Sequence, residues 1–191
     1  MATLIFALVA TAGAYAGILT TDRAARNTPP PPPAAGWTVT DGDIGIAITQ
    51  LGSRVAGSFT GWDTTIIYDD TAAGTLGRVV TTIDIGSLAL GRLSAQAMGP
   101  DFFDQSRFPV ARFAADIIRG EDGLRAEGTL AIKGMTVDVS FPFDLVIAGN
   151  VAQMTGTLTL DRRAFRLGET IADDSNLGFG VQVTLSVTAR K

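Results

Sequence analysis

From residue 37 to the end of the chain, apolar and polar residues alternate with a period of two. The longest such run is 135–147, where every odd-numbered residue is apolar and the residues between them are Thr, Asp, Ser, Pro, Asp and Val. The same alternation recurs over 44–48, 124–132 and 181–187. Because successive side chains of a strand point to opposite faces, each run predicts a strand with one apolar face.

Short turn sequences separate these runs. They include Asp69-Asp70, the residues 120–123, Lys133-Gly134 and Gly149-Asn150. Strands joined by short turns predict an antiparallel meander. A single sheet with one continuous apolar face must meet a second sheet or close on itself. We therefore predict an all-β fold, a single extended antiparallel β-barrel of about eight strands, which leaves room for side chains or for one small ligand.

One stretch, 87–104, breaks the period. Its apolar residues fall at helical spacing between Leu90 and Met98, and Gly99-Pro100 ends the pattern. The sequence thus predicts a short helical insertion near residues 87–104. We expect it to lie across one mouth of the barrel, as a plug over apolar surface or as a lid.

The N-terminal part of the chain has a different composition. Residues 4–19 are almost continuously apolar and include Ala14-Tyr15-Ala16, which has the small-x-small form of a signal-peptidase site. We predict a signal peptide or membrane anchor over 1–20, a Pro-rich linker over 21–36, and the barrel over 37–191. A cleaved signal would place the protein in the periplasm.

The composition excludes several function classes. The chain contains no Cys and no His, so thiolate nucleophiles, His general bases and Cys/His zinc sites are impossible. The formal net charge of −4 argues against nucleic acid, which requires a basic surface. The adjacent carboxylates Asp69-Asp70, Glu121-Asp122 and Asp173-Asp174 are expected to be solvated turn residues. We predict a protein that is not an enzyme, with no catalytic residues, metal or cofactor.

Five blocks of residues between 37 and 191 resemble one known family. They are Gly52-x-x-Val55-x-Gly57-x-Phe59, Ile83-Asp84-x-x-Ser87, Asp101-Phe102-Phe103-Asp104-x-x-x-Phe108-Pro109-x-x-x-Phe113, Gly128-Thr129-Leu130-x-Ile132-x-Gly134-x-Thr136-x-x-Val139 and Arg162-x-x-Phe165-x-Leu167-Gly168. Together they make the region similar to the bacterial YceI-like family, whose lipocalin-like β-barrel is associated with polyisoprenoid binding. The resemblance implies a tunnel that holds an extended prenyl or fatty chain.

The sequence also departs from that family. Many members carry His in the first strand, at the first hairpin and near the insertion. Here Gln50 stands at the hairpin position and 94–98 replaces an Arg-Asp-x-His-Leu run, so no role of those histidines is transferred. Gly61-Trp62 together with 97–103 is similar to a sub-group attached to b-type membrane cytochromes. That likeness implies a membrane anchor at 1–20 and a cytochrome partner.

The candidate ligand-binding residues lie on the expected inward faces, in the insertion and at a second mouth. Small residues on these faces, Gly57, Ala126 and Gly128, are expected to leave space for the ligand. The alternative is that Phe rings fill the interior. The candidates are Phe59, Ile83, Met98, Phe102, Phe103, Phe113, Leu130, Phe141, Phe143, Phe165 and Arg166.

The pattern and the resemblance together predict a periplasmic carrier for a long apolar lipid such as a polyisoprenoid, an isoprenoid quinone or a fatty-acid derivative. One alternative is a non-catalytic adaptor module of a membrane cytochrome and quinone system, and a homodimer is a further alternative for its assembly. An enzyme acting on a lipid or sugar is the third hypothesis, against which the lack of His and Cys argues.

Overall fold

The alternating segments form strands of one antiparallel sheet. The computed structural model describes residues 36–191, so the predictions for 1–20 and for nearly all of the linker lie outside the described residues. Ten strands pair in the order β3-β4-β6-β7-β8-β9-β10-β1-β2-β5. They are β1 (Thr38–Gln50), β2 (Ser53–Phe59), β3 (Trp62–Tyr68), β4 (Thr75–Asp84), β5 (Leu88–Ala89), β6 (Val110–Gly120), β7 (Gly123–Ile132), β8 (Met135–Ala148), β9 (Val151–Asp161) and β10 (Gly180–Arg190).

The sheet curls round until its β3 edge meets the residue before β1. There the Trp37 backbone N–H donates to the Ile66 carbonyl over 3.1 Å. The Trp37–Ile66 bridge has the same register as the β1–β2 pairing, in which Ile44 lies opposite Phe59. Both β2 and β3 therefore lie along β1, one after the other. The all-β, lipocalin-like barrel predicted from the sequence is confirmed.

The strand count exceeds the predicted eight for two local reasons. β2 and β3 are separated at Thr60-Gly61 and pair with different neighbours, so they are two strands rather than one. The insertion adds the two-residue strand β5, which pairs with the end of β2.

The insertion spans the residues between β4 and β6, and the short helical insertion predicted near residues 87–104 is confirmed. It contains two 3₁₀ turns, Ile85–Ser87 and Gly91–Leu93, and one α-helix of four residues, α1 (Ser94–Ala97). The Asp84 side chain accepts from the Gly86 N–H over 2.8 Å and starts the first turn. Within residues 36–191, no helix has both the length and the apolar character needed to span a bilayer.

The two ends of the barrel differ. One end, which we call the capped end, carries the β1–β2 turn, the β7–β8 turn, the insertion and a long loop over 162–179. The other end, the turn end, carries the β3–β4, β6–β7 and β8–β9 turns and the C-terminal Lys191. The capped end is held by backbone bonds from the loop to β1, where Gly178 N–H donates to the Thr49 carbonyl over 2.8 Å.

Candidate functional site

The inward faces of the strands enclose an elongated cavity of about 470 Å³. That volume lies within the range of about 300–1,000 Å³ typical of small-molecule sites. Nearly all of its lining residues are apolar, and they come from both ends of the barrel. On β8 they run from Val139 to Ile147, a distance of about 27 Å along the strand at about 3.4 Å per residue.

The structure places most of the candidate ligand-binding residues in this wall. Those that line the cavity are Phe59, Ile83, Phe102, Phe103, Phe113, Leu130, Phe141, Phe143 and Phe165. Met98 instead packs half-buried against the core near the insertion. Arg166 is exposed, has a left-handed backbone conformation (φ 55°) and lies 3.8 Å from Glu169. Neither of these two side chains is part of the cavity wall.

The phenylalanine rings line the cavity without closing it. Phe113 and Phe141 have ring centroids 6.0 Å apart, and Phe59 meets Phe103 edge to face at 6.1 Å. These rings therefore pack against each other along the wall. The cavity persists beside them, so the alternative in which Phe side chains fill the whole interior is not what the structure shows.

Comparison with known proteins agrees with this architecture. The family model of the YceI-like domain matches residues 37–189. The chain belongs to the YceI-like family. No curated protein matches the sequence.

Solved structures show the same fold. Burkholderia cenocepacia BcnA is 27% identical, with a TM-score of 0.72 over 78% of this chain and 96% of that chain. A polyisoprenoid binding domain from Saccharophagus degradans, implicated in plant cell wall breakdown, is 12% identical, with a TM-score of 0.60 over 81% and 97%. The Campylobacter jejuni YCEI protein is 15% identical, with a TM-score of 0.63 over 92% and 99%.

A buried arginine that the sequence analysis missed closes the capped end of this YceI-like domain. Arg162 lines the cavity and is 3% exposed. Its guanidinium donates to five backbone carbonyls at 2.8–3.2 Å, those of Leu167, Gly168, Ile171, Leu177 and Gly178. Burial lowers the pKa of this group from its ordinary value. The five bonds use all of its N–H donors and hold the 162–179 loop across the barrel.

The local sequence explains why Arg162 rather than Arg166 points inward. Asp161 starts a 3₁₀ turn, Arg162–Phe165, and its carboxylate accepts from the Arg163 N–H over 2.9 Å. The turn directs Arg162 and Phe165 inward, since both are buried, while Arg163 stays exposed beside Asp161. The sequence signal for this turn was the pair Asp161-Arg162 at the end of a long strand.

One lysine connects the insertion to the 162–179 loop, the two longer segments at the capped end. Lys133 lies in the β7–β8 turn with a left-handed backbone (φ 50°). Its Nζ donates to the carbonyls of Pro100 and Asp101 in the insertion, at 3.0 and 3.3 Å. It also donates to the carbonyl of Arg166 in the loop, at 3.1 Å. One side chain therefore ties the insertion and the 162–179 loop to the barrel.

Two of the three small residues do not provide the expected space. A Cβ on Gly57 would collide with the Ala89 carbonyl, and one on Gly128 would lie 2.7 Å from the Ala115 Cβ. The expectation that these glycines open room for a ligand is wrong, because neighbouring chain already occupies that room. Ala126 does line the cavity.

The paired carboxylates lie in turns or a loop, as expected for solvated residues. The Asp69 carboxylate accepts from Thr71, and the Asp173 carboxylate accepts from Ser175. These hydrogen bonds lower the pKa of both aspartates. Among residues 36–191 no group of three carboxylates is close enough to hold a metal ion.

Proposed function

We propose that this YceI-like protein is a carrier that holds a long apolar lipid in the barrel cavity. The single observation that supports the proposal is the cavity itself, which extends along the barrel between almost wholly apolar walls. Each 100 Å² of apolar ligand surface removed from water contributes about 2.5 kcal/mol. In an elongated cavity, an extended hydrocarbon chain buries more apolar surface than a compact molecule does, so the cavity favours the extended chain.

The length of the cavity suits such a chain. Its β8 wall corresponds to about 20 Å along the barrel axis at the strand tilt of about 40° usual for barrels. The lining residues at the capped end include Leu51, which is 72% exposed, and the polar side chains of Gln50 and Asn176. At the turn end the lining residues include Ile147, which is 41% exposed, so exposed residues line the cavity at both ends.

Carriage rather than catalysis fits the chemistry of the interior. Arg162 is the charged residue among the lining residues, and its donors are already bonded. The carboxylate pairs lie in turns or a loop, and the chain has no His or Cys. The apolar segment at 4–19 supports a periplasmic location. Cell fractionation and N-terminal sequencing of the mature protein test that location.

The test of carriage is to identify what the protein holds. The wild-type full chain and two variants are each purified from the native host. Bound molecules are then extracted and identified by mass spectrometry. Val183→Trp places an indole in the cavity wall, whereas Thr184→Trp places one on the outward face of the same strand. We expect lipid in the wild type and in Thr184→Trp and little in Val183→Trp. Empty barrels in all three would contradict carriage, and the mass spectrum distinguishes a polyisoprenoid, a quinone and a fatty-acid derivative.

A further inference from the structure

The wall of the barrel is interrupted where β3 passes β1. The bridge at Trp37 and the β1–β2 pair at Ile44 have the same register, so residues 38–43 stand opposite residues 60–65 between these two fixed points. In a continuous sheet the two stretches would form a ladder. Among the residues that the structure describes they form no strand pair, although β1 pairs with β10 along this length. We call this unpaired interval the seam.

The chain between β2 and β3 bonds to the insertion instead of to β1. The Thr60 N–H donates to the Ser87 carbonyl over 3.3 Å, and the Gly61 carbonyl accepts from the Asp84 N–H over 2.8 Å. A Cβ on Gly61 would lie 3.0 Å from the Ser87 Cβ, so glycine allows the two segments to approach closely. These contacts hold the start of β3 against β4 and leave its other edge free at the seam.

Strand β1 is also distorted along the seam. Its register with β10 shifts between Val39 and Asp41, which marks a β-bulge. Bulges bend a strand and are common at sheet edges, where they disfavour pairing. From Trp37 to Ile44 the seam covers about 24 Å of β1 at about 3.4 Å per residue. It therefore runs beside the half of the cavity nearest the turn end, since the lining residues of β1 continue beyond Ile44 toward the capped end.

An indole ring covers the seam from inside the barrel. Trp62, on β3, is half-buried and lines the cavity. Gly42 lies across the seam on β1, and a Cβ there would be 2.9 Å and 3.0 Å from two carbons of the six-membered ring of Trp62. The ring thus occupies the space that a side chain at 42 would fill. One aromatic side chain therefore spans an interval that no strand pair closes.

The barrel can widen at the seam at a lower cost than elsewhere. Parting β9 from β10, for example, would break a ladder that runs from Gly180 to Arg190 and would leave its backbone groups without partners. Widening the seam breaks no ladder, because the facing backbone stretches are not paired. What must move is the Trp62 ring.

We propose that the lipid enters and leaves the barrel sideways through the seam, and that Trp62 is the gate. An extended chain that lies along the seam moves broadside into the cavity, without threading lengthwise through either end of the barrel. The indole turns away from Gly42 during passage and packs against it again afterwards. This inference rests on the proposed carriage of a lipid and specifies the route by which the lipid is loaded.

Cross-linking the seam tests the route. The chain has no Cys, so Thr40→Cys combined with Asp63→Cys introduces one thiol at an exposed position on each side of the seam, and a short bismaleimide joins them. The control is Thr157→Cys combined with Thr184→Cys, two exposed positions that already face each other in the β9–β10 pair. The probe is all-trans-retinol, an extended isoprenoid alcohol that fluoresces in apolar surroundings. Its binding to the full chain is followed by stopped flow.

We expect the cross-link at the seam to lower the association and dissociation rate constants together by about tenfold or more, because a closed route raises the barrier in both directions and leaves Kd nearly unchanged. The control cross-link should change neither constant. Trp62→Ala should raise both constants, also by about tenfold. Phe113→Ala removes a ring from the cavity wall on β6, away from the seam, and should raise the dissociation rate constant alone.

The outcomes separate the route from carriage. Unchanged rate constants after cross-linking at the seam, with retinol still bound, would overturn the lateral route while leaving carriage intact. A rise in the dissociation rate constant alone in Trp62→Ala would show that the indole is a wall contact and would overturn its role as a gate. Failure of the wild type to bind retinol would instead count against carriage itself.

Discussion

Phe59 on β2 and Phe103 in the insertion meet edge to face, with ring centroids 6.1 Å apart and ring planes 84° apart. This contact joins the insertion at the capped end to the barrel wall. Both rings also line the cavity. The residues that hold the insertion in place are therefore the same residues that shape the proposed site.

We predict that the two rings are energetically coupled. Phe103→Ala should lower the free energy of unfolding by about 2 kcal/mol, below the usual cost for a fully buried Phe because this ring is half-buried. A double-mutant cycle with Phe59→Ala, measured by urea unfolding, should give a coupling energy of about 1 kcal/mol. Additive losses would mean that the insertion is held by other contacts.

Arg162→Lys should destabilise the 162–179 loop although it keeps the positive charge. Lysine has three donors where arginine has five, so at least two buried carbonyls lose their partners. We expect a loss of about 3 kcal/mol, since each unsatisfied group costs about 1–3 kcal/mol. Hydrogen exchange should show faster exchange across 166–179 than across the strands.

Arg163→Lys is the control for that experiment. Arg163 is exposed and pairs with Asp161 at the surface, where solvent screens the ion pair, so this substitution should change stability far less. If both variants lost the same stability, the five carbonyl bonds of Arg162 would not be what holds the loop.

Two glycines, one in the 162–179 loop and one in the β8–β9 turn, separate the steric cost of a side chain from the conformational cost. Gly168 and Gly149 have similar left-handed backbones, with φ of 66° and 60°. A Cβ on Gly168 would lie 2.9 Å from the Phe102 ring, whereas a Cβ on Gly149 would meet nothing within 4 Å. Gly149→Ala should cost about 1 kcal/mol from the backbone alone. Gly168→Ala should cost measurably more in thermal unfolding, and equal losses would show that Phe102 moves aside freely.

The period-two pattern was sufficient to predict most of the cavity wall. Alternation on β8 placed Phe141 and Phe143 on one face, and both line the cavity, because side-chain direction in a strand follows from position alone. The same reasoning placed Phe59 and Phe113 correctly. It could not place Met98, because this residue lies in the insertion, where 3₁₀ turns and a four-residue helix take the place of strand geometry.

Long-range geometry set the limits of the sequence analysis. Arg162 and Arg166 lie in one short segment, and only the five carbonyls of a loop up to sixteen residues away distinguish the buried one. The closure of the sheet at Trp37 and Ile66 likewise joins residues that no local pattern relates. Gly57 and Gly128 were misjudged because the neighbouring chain that occupies their space belongs to other strands.

The pH dependence of stability should be set by aspartates. The chain has no His, so no side chain has an ordinary pKa between 5 and 8. The hydrogen bond from the Arg163 side chain is the main cause that lowers the pKa of Asp161 below 3.8, and bonds within their own turns lower those of Asp69 and Asp173.

A lowered carboxyl pKa means that the folded state binds the proton less readily than the unfolded state. The stability these groups contribute is therefore complete above about pH 4 to 5 and is lost as the pH falls through their folded-state values. We expect a constant urea midpoint from pH 5 to 8 and a decline below pH 4. Asp161→Asn should lower the midpoint at pH 7 and reduce the acid-induced decline. A midpoint that shifted between pH 6 and 7 would require a titrating group other than these aspartates.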